Sequence, residues 1–287
     1  MKIAFVTNVP TSLGRVRLEE EAISRGHTFS LISRRNTTID KNTVINIADE
    51  FSDFDVVHFA GGLGNFVTQA VQLLLESRGV YCPNSYTRRS LDADDKVHQA
   101  LTLTTAGVPM PKTIRASNPD ILSLEKELGW PMVAKVPNST QGKGVHLLRN
   151  PFDFETLKRK KEHIFQEFID YEADYRVHVI GPKAFCPYRR TAPEGDFRAN
   201  VSLGGSLEKI EDPLTISAIS SLAVLAAEAM NLEFGGIDII KDKKGDFYVL
   251  ETNSDPGFKD VEDITGESFA VPIIDYYEQK SAAIKVV

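Results

Sequence analysis

Residues 234–258, "FGGIDIIKDKKGDFYVLETNSDPGF", decide how the rest of the chain is read. Two short apolar runs, "GGIDII" and "FYVLETN", flank the charged, glycine-bearing "KDKKGD", the pattern of two strands joined by a turn. Asp238 interrupts the first run between Ile237 and Ile239. On its own strand its same-face neighbours, Gly236 and Ile240, offer no counter-charge. A lone carboxylate in such a place costs several kcal/mol unless something positive meets it. Glu251 and Asn253 share one face of the second strand, because strand side chains alternate. A hairpin brings Asp238 beside them, and two carboxylates with an amide oxygen form a hard-oxygen set suited to magnesium. A pair of solvated strand ends is the plainer account and the weaker one, since the acidic positions interrupt apolar runs instead of flanking them. "DKKGD" does not match a calcium loop and is read as a turn.

Upstream, "PMVAKVPNSTQGKGVHLL" (131–148) repeats the strand–loop–strand shape. It is not a Walker A loop, because Gly142-Lys143 is followed by Gly144 and a strand, not by a hydroxyl residue opening a helix. A glycine-bearing turn can still point backbone N–H groups at phosphate oxygens. A solvated hairpin explains the glycines alone, but not Lys135 inside the apolar "MVAKV". Farther on, "IFQEFID" reads as a short strand leading into "YEADYRVHVIG", a strand carrying Asp174 and Arg176. "RRTAPEGDFRANVSLGG" puts Arg198 and Asn200 on one strand face, with Arg189 and Arg190 just before the turn. Arginine forks suit phosphate, yet arginines on a strand are usually solvated.

The N-terminal third alternates strands and helices. "KIAFVT", "HTFSLIS" and "FDVVHFAGG" read as strands, and "LGRVRLEEEAISRG" and "FVTQAVQLLLESRG" as helices closed by Gly26 and Gly79. That alternation implies a parallel, doubly wound sheet. "FAGGLGN" lacks the GxGxxG spacing of a dinucleotide site. Asp92, Asp94 and Asp95 precede a helix ending at Gly107 and are explained by capping and the helix dipole. Ser117-Asn118-Pro119 reads as the next helix start.

Composition narrows the function classes. With 33 basic and 40 acidic residues the chain carries a net charge of −7, which argues against a nucleic-acid partner. Two cysteines, Cys82 and Cys186, and six scattered histidines give no disulfide framework and no zinc spacing. No apolar run reaches the length of a membrane span, and no leader pattern opens the chain, so a cytoplasmic protein without membrane contact is expected.

In order along the chain, "DDK…GVPMPKT", "PMVAKVPNSTQGKGV", "QEFI", "DYRVHVIG", "RRTAPEGDFRAN", "GGIDII" and "LETNSDPGF…TG" resemble the ATP-grasp superfamily, and within it the RimK-like carboxylate–amine ligases, over about residues 92–266. The resemblance implies an α/β (α+β) fold of two parts. Residues 1–91 would form the doubly wound α/β domain. Residues 92–287 would form the ATP-grasp domain, with a flap-like lid subdomain at about 108–168 and a catalytic subdomain at about 169–287. It implies that Lys96 and Lys135 contact the α- and β-phosphates of ATP. The turn of Ser139, Thr140, Gln141, Gly142 and Gly144 would close over the triphosphate. Gln166, Glu167, Phe168 and Ile169 would line the adenine, and Asp174, or Glu172 as a competing choice, would stand near the ribose. Arg198 would neutralise the transferring γ-phosphate, with Asn200 and Lys135 as its catalytic companions. Asp238, Glu251 and Asn253 would hold Mg2+, with Mn2+ as an alternative.

The implied chemistry is phosphorylation of a carboxylate to an acyl phosphate, attack by an amine, and release of ADP and phosphate. The expected substrates are an amino-acid or peptide carboxylate and an amine acceptor, and a homo-oligomer is expected. The alternatives are a glutathione-synthase-like peptide ligase with another acceptor and an ATP-binding sensor without turnover. Three positions depart from the RimK-like pattern: Ser202-Leu203 before the paired glycines, Asp255 before Pro256, and no arginine in "FAGGLG". Glutamate addition to a ribosomal protein therefore does not follow from the resemblance, and loss of the arginine implies a less anionic substrate.

Overall fold

Both faces of the first strand are buried, which sets the first layer. In β1 (Lys2–Thr7) Ile3 and Phe5 enter one apolar cluster while Ala4 and Val6 enter another. Such a strand needs helices on both sides. β1 lies at the centre of a parallel sheet between β2 (Thr28–Ser33) and β3 (Val56–Ala60). α1 (Leu13–Ser24) and the helix at Ala270–Ile284 cover one face. α2 (Thr43–Glu50) and α3 (Asn65–Ser77) cover the other. This computed structural model describes residues 1–8, 13–34, 42–61, 63–139, 144–193 and 205–284.

α4 (Lys96–Thr105) starts where Asp95 accepts hydrogen bonds from the Val97 and His98 N–H groups, the capping role expected of that acidic run. β4 (Thr113–Arg115), α5 (Ile121–Leu128), β5 (Met132–Lys135), β6 (Val145–Leu148), α6 (Pro151–Thr156) and β7 (Ile164–Glu167) follow. The cap of α5 is Asp120, not Ser117 or Asn118: its carboxylate accepts from the Ser123 N–H at 2.9 Å. The strands make an antiparallel sheet in the order β4-β7-β5-β6, with Lys135 opposite Val145 in the expected hairpin. Leu124, Met132, Leu148, Phe154 and Phe165 form its own small core.

β8 (Tyr171–Ile180), β9 (Lys183–Thr191), β10 (Ser206–Lys209), β11 (Phe234–Asp242) and β12 (Phe247–Asn253) form a second antiparallel sheet, in the order β10-β9-β8-β11-β12. α7 (Pro213–Ala229) covers one face, burying Tyr175, Val177, Val179, Ile237 and Ile239. Alternation therefore turns Asp174, Arg176, His178 and Asp238 to the opposite face. α8 (Lys259–Thr265) and α9 (Ala270–Ile284) end the chain. Tyr276 and Tyr277 of α9 share a core with Phe5 of β1 and Phe234 of β11, joining the parallel sheet to the second antiparallel one. Among the described residues, no helix is long and apolar enough to cross a membrane.

Candidate active site

The face of the second sheet turned away from α7 carries a buried four-charge cluster. Register puts Arg176 opposite both Asp238 and Tyr188, and Arg190 opposite Asp174. Arg176 donates to Asp238 from Nε at 2.5 Å and from Nη2 at 2.8 Å. Arg190 reaches Asp238 at 3.0 Å and Asp174 at 2.6 Å. Asp174, Arg190 and Asp238 are 5%, 5% and 4% exposed. The counter-charge that β11 lacks thus arrives from β8 and β9. Burial works to raise the Asp238 carboxyl, and the two guanidiniums prevail, holding it below the usual carboxylate range. Burial raises Asp174, whose main counter-charge is Arg190. Arg190 belongs to β9 and is buried, a correction to its reading as a solvated residue before a turn.

The expected phosphate side converges from three elements. Lys96, at the start of α4, donates to the Ser139 carbonyl at 2.6 Å and lies 3.4 Å from Glu251. Lys135 donates to Gln166 Oε1 across the β5–β7 pair at 2.7 Å. Burial pulls its ammonium down to about 8, Glu251 opposing and Lys96 adding to the shift. Gly144 has φ +66°, and a Cβ there would lie 2.9 Å from the Val136 side chain, so this position favours glycine. Gln166 is buried and donates to Thr113. The Glu167 carboxylate accepts from the Lys112 N–H at 2.7 Å, and half-buried Phe168 and Ile169 follow it. Glu172, the competing ribose choice, is paired with Lys241 at 2.7 Å. Thr140, Gln141, Gly142, Arg198, Asn200, Ser202 and Leu203 lie outside the described residues.

On the metal side the hairpin register is the expected one, with Asp238 opposite Glu251 and Gly236 opposite Asn253. An ionised carboxylate offers about four lone-pair positions. Three bonds from Arg176 and Arg190 leave Asp238 one, on Oδ1. Asn253 Oδ1 accepts from the Asp255 N–H at 3.0 Å. The oxygen donors therefore fit a hard divalent cation, with Asp238 limited to one oxygen. No group of three or more His, Cys, Asp or Glu side chains is disposed to hold a metal among the described residues.

Two residues missed in the sequence fix this side. Gln99 of α4 donates to the Thr252 carbonyl at 2.8 Å and accepts from the Thr252 N–H at 3.0 Å, anchoring β12 between Glu251 and Asn253. Asn84 donates to the carbonyls of Phe234 and Ser254 and accepts from the Glu233 and Phe234 N–H groups. At Gly236 an added Cβ would stand 2.8 Å from Pro256, three residues beyond Asn253. Gly236→Ala should cost about 1–3 kcal/mol through overpacking and slow ATP consumption by moving that loop. Unchanged thermal unfolding and turnover would show that the loop yields freely.

A cavity of about 860 Å³ opens on these groups, lined by Lys96, Glu251, Asn253, Arg176 and Arg190. Asp174 and Asp238 lie behind the arginines. Lys135 and Gln166–Ile169 are not part of its lining. Its far wall comes from the parallel sheet and the helix α1, where Arg15 lies 3.0 Å from Asp255. The arginine absent from "FAGGLG" is thus matched by one from another element, and the cavity does not lack cationic charge on that side.

Comparison with known proteins identifies the family. The family model described as a RimK-like ATP-grasp domain matches residues 93–277. The probable alpha-L-glutamate ligase 1 of Shewanella baltica (strain OS155 / ATCC BAA-1091) is 33% identical over 301 aligned positions, covering 99% of this chain and 98% of the relative. The ATP-grasp ligase PsnB, solved with minimal precursor, Mg and ADP, has a similar fold with a TM-score of 0.73 at 18% identity, covering 98% of this chain and 97% of that one. The D-alanine–D-alanine ligase of Bacillus anthracis gives 0.71 at 18%, covering 99% and 98%. A family model spanning more than half of the chain and a relative aligned over nearly its whole length carry one conclusion: the chain belongs to the RimK-like ATP-grasp family and is an ATP-dependent carbon–nitrogen ligase.

Proposed function

We propose that this ligase activates an amino-acid or peptide carboxylate with ATP as an acyl phosphate and joins it to an amine, releasing ADP and phosphate. The observation that carries the reading is the meeting of Lys96, Lys135 and Glu251 from three separate elements beside the arginine-held Asp238. Phosphoryl transfer asks a protein for positioning and charge neutralisation more than for covalent participation, and this group offers both. Lys96 and Lys135 bind the α- and β-phosphates, the Ser139–Gly144 turn covers them, and Gln166–Ile169 receive the adenine. The backbone at Phe168 and Ile169 would read the base edge, and the Glu167 carboxylate accepts from the Lys112 N–H. Asp174, or Glu172 as the competing choice, would stand near the ribose; Asp174 is held by Arg190 and Glu172 by Lys241. Arg198 and Asn200 complete the γ-phosphate contacts.

Asp238, Glu251 and Asn253 would hold Mg2+, which when bound neutralises phosphate charge and orients the transfer. The relatives' description as alpha-L-glutamate ligases supports L-glutamate as the amino acid added. A hydroxylamine trap tests the mechanism: protein, Mg-ATP, hydroxylamine, and pooled amino acids and small peptides, read by mass spectrometry. Hydroxamate with ADP is expected, and it names the acid. Hydroxamate with AMP would mean adenylation instead. ATP bound without turnover in any pool would favour the sensor reading.

A further inference from the structure

We propose that Arg15 and Asp255 together form the recognition site for the attacking amine, and that this amine belongs to an α-amino acid whose carboxylate meets Arg15 and whose ammonium meets Asp255. The proposal rests on the ligase reading above. Its first support is position. The two residues come from opposite ends of the chain, and both line the cavity that also holds Lys96, Glu251 and Asn253. Asp255 is tied to the metal side by its own N–H, which donates to Asn253 Oδ1 at 3.0 Å. An amine held at Asp255 therefore stands beside the site of phosphoryl transfer, where the acyl phosphate would form.

The second support is chemical. The guanidinium and carboxylate lie side by side at 3.0 Å, a cation and an anion set next to each other as the two charges of an α-amino acid are, with signs reversed. Arginine's planar fork suits a carboxylate. The Arg15 side chain is 13% exposed and its guanidinium lies 5.5 Å from the centre of the Phe5 ring, which holds it in place, while Asp255 is 50% exposed and open to a ligand. Other ties already join the two domains, including Arg17 to Glu262 and Asp263, and Arg88 to Glu233. A strut at Arg15–Asp255 would add little to them, whereas a charged pair in the cavity wall meets whatever enters.

The step balances. The ammonium gives one proton to solvent, the freed nitrogen pair attacks the acyl carbon, the C–N bond forms, and the C–O bond to phosphate breaks. Phosphate leaves with that electron pair and takes up the second nitrogen proton, which leaves the neutral amide.

Hydroxylamine needs no amino-acid site, so it separates amine recognition from acid activation. The test measures three acceptors, L-glutamate, 4-aminobutyrate (glutamate without its α-carboxylate) and hydroxylamine, on the wild type and on Arg15→Met, Arg15→Lys and Asp255→Asn. In the wild type, L-glutamate should be used far better than 4-aminobutyrate. Arg15→Met should lose roughly 10- to 100-fold in kcat/KM for L-glutamate, the worth of a hydrogen bond to a charged group. Its use of hydroxylamine and of 4-aminobutyrate should fall less than about threefold, against that same reference. Arg15→Lys should recover part of the loss, and Asp255→Asn should slow both true amines more than hydroxylamine. The proposal is overturned if the wild type uses 4-aminobutyrate as well as L-glutamate, or if Arg15→Met lowers all three together, as an acid-site or purely structural role would. Absence of hydroxamate from the wild type in every acid pool would sink the ligase reading itself, and this proposal with it.

Discussion

Asp238→Asn should lower the melting temperature by roughly 6–20 °C and abolish hydroxamate formation. The substitution keeps the shape of the side chain and removes its charge, leaving Arg176 and Arg190 to face Asp174 alone in a largely buried cluster. Removing one partner of a buried ion pair costs about 3–5 kcal/mol, because the remaining charge stays desolvated. At about 2–4 °C per kcal/mol for a chain of this size, the range follows. The loss of activity has a separate origin, since the amide offers a divalent cation a neutral oxygen in place of a charged one. A double variant divides the two effects. Arg176→Gln combined with Asp238→Asn should regain several degrees, by removing the orphaned cation, and still form no hydroxamate. A double variant no more stable than the single one would show that the Arg176–Asp238 contact is not what holds this face together.

The readability of this site followed how local each contact is. The hairpin that sets Asp238 against Glu251 was legible because turn chemistry and strand alternation act within about twenty residues, and the observed register agrees. Lys135 was legible as a charge inside an apolar strand. The arginines were not: Arg176 and Arg190 read as ordinary strand arginines until β8 and β9 fall into register beside β11. No periodicity within one segment encodes that pairing. The same holds for Arg15 and Asp255, and for Gln99, whose amide anchors a strand far along the chain. α2 left no reading because it is short and has no side-chain cap. The start of α5 was misplaced because a proline at residue 119 drew the boundary upstream of Asp120, the residue that accepts the N–H bond.

Lys135→Met should lower kcat/KM for ATP by roughly 100- to 1,000-fold, the usual loss on removing one donor aimed at developing charge. Folding should suffer little. Methionine keeps the length of the side chain and removes a desolvated ammonium, and these gains offset the unsatisfied Gln166 oxygen left behind. The wild-type pH profile carries the same information. Burial holds the Lys135 ammonium near 8, below its ordinary 10.5, with Glu251 and Asp238 opposing the shift and Lys96 adding to it. As pH rises through about 8 the free enzyme loses this cation, so kcat/KM for ATP should decline there. A bound triphosphate favours the charged form, and kcat should hold to higher pH. The stability consequence has the opposite sign. Between about 8 and 10.5 the unfolded chain keeps a proton on this lysine that the folded one has released, so folding stability from this group rises with pH across that window. Lys135→Met should erase both trends. A decline in kcat/KM for ATP near pH 8 that persists in Lys135→Met would move the titration to another group and remove Lys135 from the triphosphate site.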